Sequence, residues 1–161
     1  MLAGLIDNTV ILSWACVLAV VSFSLGADTI IADKRIGYII ALSTLTLPVV
    51  TLFAFNEAAP WRATPGKLLL GLRLDYPGTP SFARAFIRNL LKFLPWEVCH
   101  IGIWLIPGPI FVSEPTASSW AIIIAGEALA LIWLASLFTP SGRTIHDRIA
   151  GLAVTKKPSV S

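Results

Sequence analysis

Four ionisable residues stand inside otherwise apolar stretches of this chain: Asp7, Glu97, His100 and Glu127. A charge-bearing group in hydrocarbon is costly to keep, so each marks a candidate for proton or cation handling. Glu97 and His100 share a helical face at i, i+3. Glu127 stands near the middle of its stretch, with no Lys or Arg at its depth. Just beyond that stretch, His146 and Asp147 add a second imidazole and carboxylate. Asp7, Glu97, His100, His146 and Asp147 are expected to gather at one membrane face, leaving Glu127 as the one carboxylate at depth. Carboxylates and carbonyls are what hard cations require, and a proton carrier needs a group able to change its charge. The plainer reading is that Asp7 and Asp147 pair with bases such as Arg88 or Arg148 and tie helices together.

Patterns for covalent chemistry are missing. There is no Gly-x-Ser-x-Gly, no His-Glu-x-x-His and no phosphate loop; Gly66-Lys67 lacks both the upstream glycine and the following Ser or Thr. No enzyme activity, cofactor or metal site is therefore expected. Cys16 and Cys99 both fall in apolar segments and read as small apolar residues, not as a disulfide.

The elements that must position these residues are helices in lipid. Of 161 residues, 56% are hydrophobic and 13% charged, where soluble domains carry about 25% charged residues; mean hydropathy is +0.80. With about 20 apolar residues needed per crossing, the chain reads as an all-α membrane protein with four spans, at about 5–26, 36–55, 95–112 and 120–138. Pro48 inside the second span is tolerable in a membrane helix. The third carries Glu97 and His100 near its start and Pro107-Gly108-Pro109 near its end, so it crosses with a break or dips and returns.

Residues 56–94 hold Glu57, Arg62, Lys67, Arg73, Asp75, Arg84, Arg88 and Lys92 and form a loop outside the lipid. Within it, Leu68 to Leu74 is a short strand-like or irregular piece. Ser81 then caps an amphipathic interfacial helix whose Arg84, Arg88 and Lys92 stripe faces lipid head groups, not nucleic acid. The whole is one domain over 1–157 with a tail at 158–161, and no long-period repeat is visible. Several of the six tryptophans lie near helix ends, as interface anchors do.

Four spans put ten of the twelve Lys and Arg on one face. By the positive-inside rule both termini are cytoplasmic; a re-entrant third span would weaken that bias. No cleavable signal peptide is expected, so the first helix serves as its own insertion signal.

Three segments resemble the RDD (Arg-Asp-Asp) family of small bacterial membrane proteins. Ala3-Gly4-Leu5-Ile6-Asp7 is similar to the family's Leu-Ile-Asp in helix one. Thr64-Pro65-Gly66-Lys67-Leu68-Leu69-Leu70-Gly71-Leu72-Arg73, followed by Pro80-Ser81-Phe82 and Arg84-Ala85-Phe86-Ile87-Arg88-Asn89, resembles its central motifs. His146-Asp147-Arg148-Ile149-Ala150-Gly151 resembles the last, with Asp147 as the second aspartate. One departure is plain: where the family has an arginine ahead of the first aspartate this sequence has Met1, so either the true start lies upstream or this member has lost the residue, with Arg88 or Arg148 as the substitute partner. The resemblance implies a multi-pass protein of the bacterial cytoplasmic membrane. Some members have been proposed to be cation/proton antiporters, so Na+ or another small cation, protons and membrane lipids are the expected partners. A four-helix chain is thin for a transport path, and a homo-oligomer is expected. The rival function is a non-transporting scaffold or accessory subunit, and a lipid-acting membrane enzyme, resting only on His100, His146 and nearby acids, ranks third.

Overall fold

The computed structural model describes residues 2–26, 33–108 and 112–156. Asp28 and most of the first polar loop, Pro109 with the end of the expected third span, and Lys157 with the 158–161 tail lie outside the described residues.

The chain is mostly helical. Among the described residues, three helices are long and apolar enough to cross a membrane: α1 (Leu2–Ser24), α2 (Lys34–Ala58) and α5 (Ala117–Phe138). Between α2 and α5 lie a short helix α3 (Pro65–Leu69), strand β1 (Leu72–Asp75) and the long helix α4 (Phe82–Trp104). Another short helix, α6 (Ile145–Ile149), and strand β2 (Ala153–Lys156) follow α5. The expected interfacial helix and third span are thus a single helix. Ser81 caps α4 by accepting a hydrogen bond from the Arg84 N–H, and Pro95 falls inside α4 instead of starting a new segment. Charge on one turn and a proline on another suggested a boundary in the sequence. The packing of α4 against both α2 and α5 removes it.

Each proline inside a long helix frees a carbonyl four residues earlier. For Pro48 that carbonyl belongs to Thr44, and the Trp14 indole of α1 donates to it at 2.9 Å. The backbone just ahead, Leu42–Thr46, widens to a π-helical turn. For Pro95 the freed carbonyl is that of Leu91, and the Trp133 indole of α5 donates to it at 3.1 Å. Trp14 and Trp133 are therefore cross-helix donors at the two proline sites. Small residues bring α4 and α5 close. A Cβ added at Gly126 would lie 2.5 Å from Cys99 Sγ, and one at Gly102 would lie 2.7 Å from the Ile123 side chain.

A repeat missed in the sequence is plain in the backbone. After α2 the chain runs Pro60, Arg62 (φ 54°), Thr64 capping α3, Gly71 (φ 63°) and Leu72 entering β1. After α5 it runs Pro140, Gly142 (φ 58°), Thr144 capping α6, Gly151 (φ 68°) and Leu152 leading to β2, at a constant spacing from the first set. The two strands pair antiparallel, and Leu74 pairs with Val154, its own counterpart. A position that pairs with its equivalent lies on a local two-fold, so the two motifs are related by rotation about that pair. Leu74, Tyr76, Ala150 and Leu152 form the small apolar core beneath it. α1 packs on α3 as α4 packs on α6.

Candidate functional site

Buried charge collects where the two motifs meet the helices. Asp7, on α1, is 2% exposed. Its carboxylate accepts from the Thr64 hydroxyl at 2.7 Å and from the Gly66 N–H at 2.8 Å, at the first turn of α3. That approach needs glycine: a Cβ at Gly66 would lie 2.9 Å from Asp7 Oδ1 and closer still to the Ala3 carbonyl. Glu57, on the last turn of α2, is fully buried. It accepts from Lys67 Nζ, from Arg88 Nη1 at 2.8 Å and from Asn89 Nδ2 at 2.6 Å. Tyr76 donates its hydroxyl to the Glu57 carbonyl at 3.0 Å. Arg88 then bonds Asp147 through Nε at 2.7 Å. Asp147 completes a capping box with Thr144, whose hydroxyl donates to it at 2.6 Å.

The result is one chain of contacts: Asp7, Thr64, Lys67, Glu57, Arg88, Asp147. Lys67 and Asp147 stand at equivalent positions of the two motifs. In the first, the long helix brings the acid (Asp7) and the short helix bears the base; in the second, the long helix brings the base (Arg88) and the short helix bears the acid.

Buried ions stay ionised only when paired. Burial opposes the charge on Asp147, but the Arg88 guanidinium and the Thr144 hydroxyl hold its carboxyl below the usual range. Burial, with Arg88 nearby, lowers the Lys67 ammonium although Glu57 works against it. Burial and then Arg88 depress His146 to about 4, so it is neutral near pH 7. Tyr76 is pushed up to about 12, first by burial and then by the Glu57 carboxylate.

A second cluster lies deeper. Glu97 accepts from the Tyr38 hydroxyl at 3.2 Å and from the Thr46 hydroxyl, and His100 Nδ1 stands 3.6 Å away. Glu97 follows Arg88 by nine residues on one continuous helix, about 13 Å along its axis. It therefore does not share the level of Asp7 and Asp147, because α4 begins at Phe82, well before Pro95. Beside it is a cavity of about 740 Å³, reached by residues of α1, α2, α4, α5 and α6. Thr46 and His100 line it, as do Glu127, Lys92 and His146. Cys99, another lining residue, points its thiol toward the Ile123 carbonyl and Glu127.

Of the residues singled out in the sequence, Asp7 and Asp147 enter the buried chain without touching each other. Arg88 turns inward as Asp147's partner, Arg84 is exposed, and Lys92 rests over the rings of Phe53 and Phe93. Arg148 bonds the Arg143 carbonyl and Ser141, not a carboxylate. The sequence reading missed Glu57, Lys67, Asn89, Thr64 and Thr144. The signal was there in Thr64…Gly71-Leu72 recurring as Thr144…Gly151-Leu152.

Residues 1–151 match the RDD family. The chain belongs to the RDD family. The matched region takes in both motifs up to Gly151 and all four long helices. No curated protein and no solved structure matches the chain. In this RDD chain the arginine that meets Asp147 comes from α4, as Arg88. Apolar helices and family together make it a multi-pass integral membrane protein.

Proposed function

We propose that this RDD chain is a transport protein of the bacterial cytoplasmic membrane, not an enzyme, exchanging protons for a small cation such as Na+. The observation that carries the reading is the deep cluster. Glu97, the Tyr38 and Thr46 hydroxyls and His100 stand beside a cavity that Glu127 lines from α5. Carboxylate and hydroxyl oxygens suit a hard cation, and the imidazole and carboxyl groups offer a proton its steps. Asp7 and Asp147 serve instead as the lock at one end, since both carboxylates are already committed to donors.

Four spans fit this role. α4 has 23 residues, about 34 Å of helix against a hydrocarbon thickness of about 30 Å. Its Arg88 and Asn89 are buried against protein, away from lipid. With four spans the positive-inside count places both termini in the cytoplasm.

The test is pH-driven cation flux in reconstituted vesicles. Glu97→Gln and Glu127→Gln, each still folded, are expected to abolish it; flux that survives the double substitution ends the proposal. One observation favours a second reading as a scaffold or accessory subunit: the acids Asp7, Glu57 and Asp147 are all internally paired. A stable complex with a partner protein in mild detergent, together with absent flux, would select that reading.

A further inference from the structure

The cavity has a cationic end that the exchange reading does not use. Lys92 projects from α4, and none of the ion pairs among the described residues includes it. At contact distance the protein meets its ammonium with rings, Phe53 at 5.2 Å and Phe93 at 5.5 Å, while the carboxylates of Glu57 and Asp7 act on it only at longer range. An ammonium carries three donors, and a ring face meets none of them as an oxygen would. His146 lines the same cavity, is 8% exposed, and its Nδ1 has no hydrogen-bond partner. Thr144 lines it too. An ammonium with no oxygen partner and a buried imidazole nitrogen with no partner, at one end of an apolar cavity, suit an anion with an apolar body, to which the neutral imidazole donates when its one proton is on Nδ1.

Helix packing shows how such a molecule would enter. α1 packs chiefly on α3 and on the π-helical turn of α2, while α4 packs on α2 and α5. Ile11 and Leu12 of α1 and Leu134 and Leu137 of α5 nonetheless line one cavity. The space between α1 and α5 is thus bounded by helices that face lipid, and its apolar walls suit acyl chains.

We propose that this cavity binds one anionic phospholipid, its phosphate oxygens accepting from Lys92 and His146 and its acyl chains lying between α1 and α5. The binding step is independent of whether the chain exchanges cations. The lipid would supply the counter-charge for Lys92 and fill the gap beside α1.

The experiment is native mass spectrometry of the detergent-solubilised chain titrated with phosphatidylglycerol, phosphatidylcholine or inorganic phosphate alone. The expected result is one phosphatidylglycerol retained per chain, in preference to phosphatidylcholine. Lys92→Met, which keeps the apolar stem, weakens that retention by about tenfold or more, as loss of a charged hydrogen bond does. Arg84→Gln, at an exposed site outside the cavity, leaves it unchanged. The proposal is overturned if phosphatidylcholine binds as tightly, if Lys92→Met retains the lipid fully, or if a second copy of the chain displaces it. Retention of inorganic phosphate alone with no lipid preference also overturns it. A thermal-shift measurement confirms that Lys92→Met is folded, and flux assays on the same protein report separately on exchange.

Discussion

Arg88 is bonded to two carboxylates at once, and both are buried. Removing one partner of such a set leaves the rest desolvated without compensation, at a cost of about 3–5 kcal/mol. Arg88→Gln is therefore expected to destabilise the protein by that amount in a reversible denaturant titration in mixed micelles. Adding Asp147→Asn is expected to cost much less than it does alone, because the two changes remove the same interaction. Additive losses would separate Arg88 from Asp147. His146 sets a pH dependence of known sign. Its folded value of about 4 lies below the ordinary value of 6.5, so protons bind the unfolded chain more readily through that interval. Stability is full above the unfolded value and falls as pH drops from 6.5 toward 4, by on the order of 3 kcal/mol. Melting temperature measured across that window should show the slope, and His146→Gln should flatten it.

At the scale of elements, the two proline sites are coupled to tryptophans on neighbouring helices. Trp14→Phe loses a hydrogen bond of about 1 kcal/mol. In a Pro48→Ala background, where the backbone N–H returns and Thr44 O regains a partner in its own helix, the same change is expected to cost less. Melting of the four proteins of that cycle decides it, and Trp133 with Pro95 forms an independent repetition. These bonds also show what the sequence could and could not reveal. Apolar length alone announces α1, α2 and α5, and Ser81 announces the start of α4. The unity of α4 was hidden, because Arg88 and Lys92 look like surface charges until Glu57, Asp147 and the cavity supply their settings. Glu57 looked like a loop residue for a similar reason. Only the turn that carries α2 on to Ala58 makes it the buried centre of the charge chain. Asp7 and Asp147 stood out in the sequence because of the residues around them. Their true neighbours, Thr64 and Gly66 for one and Arg88 and Thr144 for the other, depend on long-range packing that no local spacing records.

For the whole molecule, two motifs related by a local two-fold hold the charge chain at one end of the long helices, with the cavity reaching from it toward Glu97. If α4 crosses the membrane, its ends lie on opposite faces. With Cys16 and Cys99 replaced by Ala, a lone cysteine at Arg84 and one at Leu105 are expected to react with an impermeant thiol reagent from opposite sides of sealed vesicles. Labelling of both from one side would make α4 re-entrant. The pairing of β1 with β2 has a further consequence, in the time it takes to make the protein. β1 leaves the ribosome with no strand to meet. Its partner follows only after α4 and α5, a wait of roughly 4–16 s at common synthesis rates of about 5–20 residues per second. Glu57 is not left alone in that interval, because Lys67 follows it closely in the chain, before Arg88. Asp147 arrives last and finds Arg88 already made. The order of synthesis thus delivers Glu57 and Asp147 close to a base, while Asp7 waits for Thr64 and Gly66, and the closing strand arrives after the helices it must hold.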